Sequence, residues 1–138
     1  EARARALLFP NAPSGLGLLG VALRKQGEPV AAAQALTAAL KREPSNGLLW
    51  QQLAGSLMSA GQVDEACDAA HAAVLYEPLE VGALEVSARC ELERGNAEKA
   101  LALVAKARER APHDERLRRA EDKLKAEVAT PKLKAKAR

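Results

Sequence analysis

Four prolines, Pro10, Pro44, Pro78 and Pro112, stand 34 residues apart along the chain. Gly27, Gly61 and Gly95 keep the same step, as do the columns Ala32/Ala66/Ala100 and Ala39/Ala73/Ala107. A fixed period of this length marks a stacked helix-turn-helix array, in which each unit buries its apolar face only against its neighbours. Such arrays serve as surfaces for partners more often than as seats of chemistry.

The residues between the punctuation agree. Leu16, Leu19 and Leu23 recur at three- and four-residue steps, and Trp50, Leu53 and Leu57 repeat the pattern one block later, giving one apolar stripe per helix. The glycines fall where a helix must stop, because glycine accepts the left-handed cap conformation. Each proline closes the following helix, since it cannot continue the hydrogen-bond ladder and turns its predecessor away from helical angles. Ala32, Ala66 and Ala100 sit where two helices must approach closely, and a larger side chain there would cost about 1–3 kcal/mol.

The chain divides into blocks 13–46, 47–80 and 81–114. The second carries Trp50, Leu53, Ala54, Leu57, Gly61, Ala66, Ala70, Ala73 and Pro78. The first offers Leu16, Leu19, Gly20, Leu23, Gly27, Ala32, Leu36, Ala39 and Pro44, and the third Leu84, Ser87, Ala88, Glu91, Gly95, Ala100, Val104, Ala107 and Pro112. This pattern resembles the tetratricopeptide repeat, W-x2-L-G-x2-Y…A-x3-F…A…P. The resemblance implies an all-α, right-handed α-solenoid of antiparallel helix pairs. It comprises three full repeats, a capping helix over 115–130, a basic tail over 131–138, and the end of a preceding repeat over 1–12. The third block departs from the pattern, with Ser87 and Glu91 where a large residue and an aromatic are usual, and is expected to be less stable than the second.

Composition sets bounds. No apolar run approaches the roughly 18 residues that span a bilayer, so no transmembrane segment is expected. The chain starts at Glu1 rather than a methionine, so a preceding part is expected, and with it room for a lost signal or anchor. Heavy use of alanine, leucine and arginine suits a bacterial source. The net charge of +3 is uneven: residues 115–138 hold nine Lys/Arg against four Asp/Glu, leaving twelve against fourteen in residues 1–114. Leu117, Ala120, Leu124 and Val128 form a narrow stripe with charge on the other faces, as a solenoid cap requires. Lys132, Lys134, Lys136 and Arg138 follow Pro131. Without interleaved aromatics they read as a solvated terminus, so neither nucleic acid nor an anionic membrane is the expected partner.

Motifs for chemistry fail on context. Gly15-Leu16-Gly17-Leu18-Leu19-Gly20 matches G-x-G-x-x-G, but no strand precedes it and no acid follows about 20 residues on. Gly20 is explained as the small residue of a repeat's first helix. Asp64, Glu65 and Asp68 sit at a helix start, where the dipole favours acids. His71 and His113 lack a ligand or paired carboxylate at metal-binding spacing. No nucleophile–base pair is present, and neither catalysis nor a cofactor is expected.

Cys67 and Cys90 lie 11 and 12 residues either side of Pro78. In an antiparallel helix pair they stand at similar heights, and a disulfide is open to them if their Cα atoms come within roughly 4.4–6.8 Å. The favoured reading is two free, buried thiols. Free thiols suit the cytoplasm, which this reading prefers; a bond would suit the periplasm.

In the resembled family the first helices line a concave groove, at the second, fifth, ninth, twelfth and thirteenth positions of each block. Those positions here are Ser14, Gly17, Val21, Arg24 and Lys25; Leu48, Gln51, Gly55, Met58 and Ser59; and Gly82, Glu85, Arg89, Leu92 and Glu93. Val21, Leu48, Met58 and Leu92 are expected to face solvent in the concavity, and Gly17, Gly55 and Gly82 to leave room for a close backbone. Co-chaperone modules that grip an acidic C-terminus use lysine and asparagine at the fifth and ninth positions. Gly17, Val21, Gln51 and Gly55 stand there, so no such clamp is expected. The groove is predicted to take a partner protein's amphipathic helix or extended apolar peptide. Alternatives are self-association, service as one domain of a longer secretion, polysaccharide-export or regulatory protein, and, last, nucleic-acid or anionic-membrane contact through the basic C-terminus.

Overall fold

A computed structural model describes residues 13–130, so the readings for 1–12 and 131–138 lie outside the described residues. Among the described residues there are seven helices and no strand: α1 (Pro13–Lys25), α2 (Pro29–Arg42), α3 (Gly47–Ser59), α4 (Val63–Tyr76), α5 (Val81–Glu93), α6 (Ala97–Arg110) and α7 (Glu115–Ala129). Each helix packs on its neighbours in the chain, most extensively within α1–α2, α3–α4 and α5–α6. The first helices also touch across repeats, α1 on α3 and α3 on α5. The result is a right-handed α-solenoid with one layer of first helices and one of second helices.

The period has a structural cause at every step. Gly27, Gly61 and Gly95 all have φ of 80°. At each, the glycine N–H donates to the carbonyl three residues back (Arg24, Met58, Leu92). The next N–H donates to the carbonyl five back (Leu23, Leu57, Glu91). This paired cap closes the helix and requires the left-handed residue. The second helices stop at Arg42, Tyr76 and Arg110, two residues before each proline. The next helices are then launched by side-chain caps. Asn46 accepts from Leu48 and Leu49 N–H, Glu80 from Gly82 N–H, and Asp114 from Arg116 and Leu117 N–H. Trp50 Nε1 donates to the Pro44 carbonyl at 2.8 Å and seals its turn.

Both alanine columns are fully buried, as the spacing predicts. Gly20 belongs to this packing rather than to any nucleotide site: a Cβ there would lie 2.5 Å from Leu36 Cγ. The largest core cluster joins Leu36, Leu40, Leu49, Leu53 and Leu57 to Cys67, Val86 and Cys90, and so runs through the first two repeats into the third.

The free-thiol reading is corrected. Cys67 and Cys90 form a disulfide with Cα atoms 5.2 Å apart. α4 packs directly on α5, and the nearly equal distances from Pro78 bring the sulfurs opposite. The bond links the second repeat to the divergent third. There, Glu91 occupies a buried position that Leu23 and Leu57 fill in the other blocks.

Candidate functional site

The helix starts explain how one surface is assembled. The first helices begin at Pro13, Gly47, Val81 and Glu115, each 34 residues after the last. The side chains at one block position therefore return to the same face of the array. α7 keeps this phase, so it continues the layer of first helices as well as capping the last repeat.

Six of the expected groove residues share one concavity of ≈130 Å³: Arg24 from α1, Gln51 and Gly55 from α3, and Gly82, Glu85 and Arg89 from α5. The glycines do not leave open room there. The Arg24 guanidinium lies over Gly55 and donates to Gln52 Oε1 at 2.8 Å. The Gln51 amide lies over Gly82, its Oε1 buried without a hydrogen-bond partner. Gly17 faces Leu49, where a Cβ would come within 2.9 Å. The space that glycine opens is thus occupied by the chain's own side chains.

The apolar expectations divide. Leu48 and Leu92 are exposed, at 58% and 41%, and Val21 is half-buried. Met58 is also half-buried, with part of its side chain packed against the main core. Ser59 is exposed, its hydroxyl returned to the Gly55 carbonyl. Ser14 lies in the first turn of α1, and Lys25 and Glu93 are exposed at the last residues of α1 and α5.

A larger cleft of ≈300 Å³ opens between α5 and α7, with α6 contributing Val104. Ala88, Val104, Leu117, Ala120 and Leu124 give it apolar walls, Leu92 stands beside them, and Arg89 and Lys123 are exposed among its lining residues. Arg116 makes two 2.7 Å hydrogen bonds to the carboxylate of Glu85 and fixes α7 against α5. Glu85 is therefore committed within the chain, and its carboxylate holds the Arg116 guanidinium above its ordinary pKa. Deeper in the same helix, buried Glu121 accepts from Arg108, and this bond keeps its carboxyl below the usual range. Sequence reasoning treated 115–130 as a cap alone and missed the α7 side of the cleft. The available signal was the Asn46/Glu80/Asp114 capping column, which keeps the 34-residue step.

A second cluster lies between α4, α5 and α6. Buried Glu91 accepts from Asn96 Nδ2 at 2.8 Å through Oε2, and His71 Nε2 lies 3.1 Å from Oε1. The Asn96 bond, followed by the His71 bond, outweighs burial and holds the Glu91 carboxyl below its ordinary value. The sequence reading left His71 without a cysteine at ligand spacing, although Cys67 stands four residues before it on α4, and without a carboxylate partner. Its partner stands 20 residues away on the next helix, and only the packing brings the two together.

Residues 23–84 match the family model described as Tetratricopeptide repeat. No curated protein matches the sequence. Among solved structures, the chain resembles the Sgt2 TPR domain from Aspergillus fumigatus (TM-score 0.80, 19% identity, covering 87% of this chain and 81% of that one). It also resembles the first TPR of Spaghetti (RPAP3) bound to an HSP90 peptide (0.80, 18%, 93% and 96%) and MamA (0.83, 16%, 93% and 75%). At these identities the structures establish the shared fold. With the 34-residue period, the glycine caps and the family match over residues 23–84, they give the chain the tetratricopeptide-repeat fold, with three helix pairs closed by a seventh helix among the described residues.

Proposed function

We propose that the chain is a non-catalytic scaffold that holds another protein in its concave groove, with an apolar side chain of the partner seated between α5 and α7. The observation that carries this reading is the ≈300 Å³ cleft, apolar on its walls and bordered by Arg89 and Lys123. An apolar recess with a few placed charges is the usual form of a recognition pocket. Its apolar lining favours a helix or extended segment carrying an aliphatic or aromatic anchor; of its three cations Arg116 is committed to Glu85, and Arg89 and Lys123, with Glu127 also on the lining, favour an acidic residue at the Arg89 side. The RPAP3 domain is bound to an HSP90 peptide, SRMEEVD. That ligand does not transfer here, because Gly17, Val21, Gln51 and Gly55 replace the lysine and asparagine of the acidic-terminus clamp. The disulfide supports an oxidising compartment over the cytoplasm.

Peptide display against the oxidised chain tests the reading. Wild type should enrich sequences with one apolar anchor beside an acid, Leu92→Glu should lose them, and Lys123→Glu should shift the flanking preference away from acids. Enrichment identical in wild type and Leu92→Glu would reject the α5–α7 cleft.

One observation favours self-association as a second reading. Leu48 lies in the first turn of α3, Leu75 in the last turn of α4 and Leu79 in the turn beyond; all three are exposed, Leu75 at 72%. The α3 start lies against the α4 end, as Gly47 does against Glu77. Sedimentation of wild type and Leu75→Glu/Leu79→Glu over a concentration series decides it: a strictly monomeric wild type removes this reading.

A further inference from the structure

We propose that Cys67, His71, Cys90 and Glu91 form a zinc-class metal site when the Cys67–Cys90 bond is reduced. Cys67 and His71 are four residues apart on α4, so they share one face a turn apart. α5 supplies Cys90 and Glu91 from the opposite side. The ligand atoms of His71, Cys90 and Glu91 already lie within 4.8 Å of one another, and the Cys67 sulfur is bonded to that of Cys90. Tetrahedral zinc, with bonds of about 2.3 Å to sulfur and 2.0–2.1 Å to nitrogen or oxygen, spaces its ligand atoms by about 3.3–3.8 Å. The His71 and Glu91 ligand atoms, 3.1 Å apart, already stand close to that spacing; each needs to approach the Cys90 sulfur by no more than about 1–1.5 Å, and the freed sulfurs separate by side-chain rotation.

The surroundings fit the role. Asn96 holds Glu91 through Oε2, which leaves Oε1 on the His71 side, the kind of outer hydrogen bond that orients a metal-binding carboxylate. His71 is exposed and lines a depression of ≈350 Å³ with Glu91, Ser87 and Lys99, giving an ion a route from solvent. Zinc(II) held by two thiolates, one carboxylate and a neutral imidazole carries a net charge of −1, and Lys99 stands in the same depression to offset it. The chemistry balances. A dithiol or phosphine reductant delivers two electrons, and two protons come from reductant or solvent. The S–S bond breaks to two thiols, and the incoming ion displaces both thiol protons to water. The oxidised chain keeps the α4–α5 contact by a covalent bond, and the reduced chain would keep it by a metal.

The test uses the full chain, reduced by a phosphine under anaerobic conditions, with Co²⁺ as the probe and Zn²⁺ as its competitor. One equivalent of Co²⁺ should bind with thiolate charge-transfer and tetrahedral ligand-field bands, and Zn²⁺ should displace it. The oxidised chain should show neither band. His71→Ala and Glu91→Gln should each alter the ligand-field spectrum, and Asn96→Ala should weaken binding about 10–100-fold while leaving the spectrum tetrahedral. Absence of the bands in a reduced chain that keeps its helical circular dichroism overturns the proposal, as does a spectrum unchanged by His71→Ala. If reduction unfolds the chain, Zn²⁺ should restore helix to wild type and not to His71→Ala; failure of wild type to recover overturns it equally.

Discussion

Reducing the Cys67–Cys90 bond with a chelator present should destabilise the array unevenly. The cross-link closes a loop of about 24 residues, counted from a sequence separation of 23. Loop-closure entropy for that length is about 11–12 cal/mol/K, or about 3.4 kcal/mol at 25 °C, roughly a 300-fold shift in the folding equilibrium. Against a total stability of about 5–15 kcal/mol, this is a quarter or more of what holds the fold. Both sulfurs are fully buried, and two unbonded sulfurs need more room than a bonded pair, so packing strain adds to the entropic loss. The bond joins α4 of the second repeat to α5 of the third. In a quasi-one-dimensional array its loss therefore weakens one interface most. Urea unfolding followed by helical circular dichroism measures the total, and native-state hydrogen exchange locates it. Exchange should accelerate in α5–α7 well before α1 and α2. Coincident unfolding midpoints for oxidised and reduced chains would refute the loop-closure argument. Equal acceleration in every helix would refute the interface argument.

Three further outcomes follow from the packing, the salt bridge and the caps. Gly20→Ala should destabilise by about 1–3 kcal/mol, since its Cβ would meet Leu36 Cγ at 2.5 Å. By contrast, Gly55→Ala should be neutral or gain about 0.5–1 kcal/mol, because only the flexible Arg24 guanidinium must yield; a urea midpoint for each separates the two. Glu121, held below its ordinary value of 4.5 chiefly by Arg108, contributes stability above that pH and loses it as pH falls through the lower folded-state value. The stability gap between wild type and Glu121→Gln should therefore narrow in denaturation series run from pH 7 to pH 3; a constant gap would contradict the assignment. Asp114→Ala should cost about 0.5–2 kcal/mol by removing the cap on two α7 N–H groups, read as lost protection of Arg116 and Leu117 amides in hydrogen exchange.

Much of the fold was legible because the period is enforced by sterics at single residues. A φ of 80° is demanded at Gly27, Gly61 and Gly95, and Ala32, Ala66 and Ala100 are fully buried, where a larger side chain would cost about 1–3 kcal/mol. Those constraints act on one residue at a time, so they print directly on the sequence. The groove was legible only in part, because its shape depends on which long side chain lies across from each glycine. Gly55 and Gly82 are both covered from the preceding repeat, one by Arg24 from α1 and the other by Gln51 from α3. A flexible side chain can cover either of them from a neighbouring repeat, and no local rule fixes which one does.

The departures from the period carry the rest. Glu91 replaces the leucine that fills its position in the first two blocks, and an isolated buried carboxylate there would be costly. The chain answers with two further departures: His71, where the other blocks have Thr37 and Ala105, and Asn96, where they have Glu28 and Gln62. Cys67 and Cys90 likewise stand where other blocks have Ala33 and Leu101, or Ala22 and Ser56, and each makes sense only with the other. A substitution that breaks a repeat pattern at a buried position needs a compensating break on the neighbouring helix. All five of these breaks meet where α5 packs against α4 and turns into α6. The repeat therefore explains why there is a solenoid, and these paired exceptions are where its second and third repeats depart from the shared pattern.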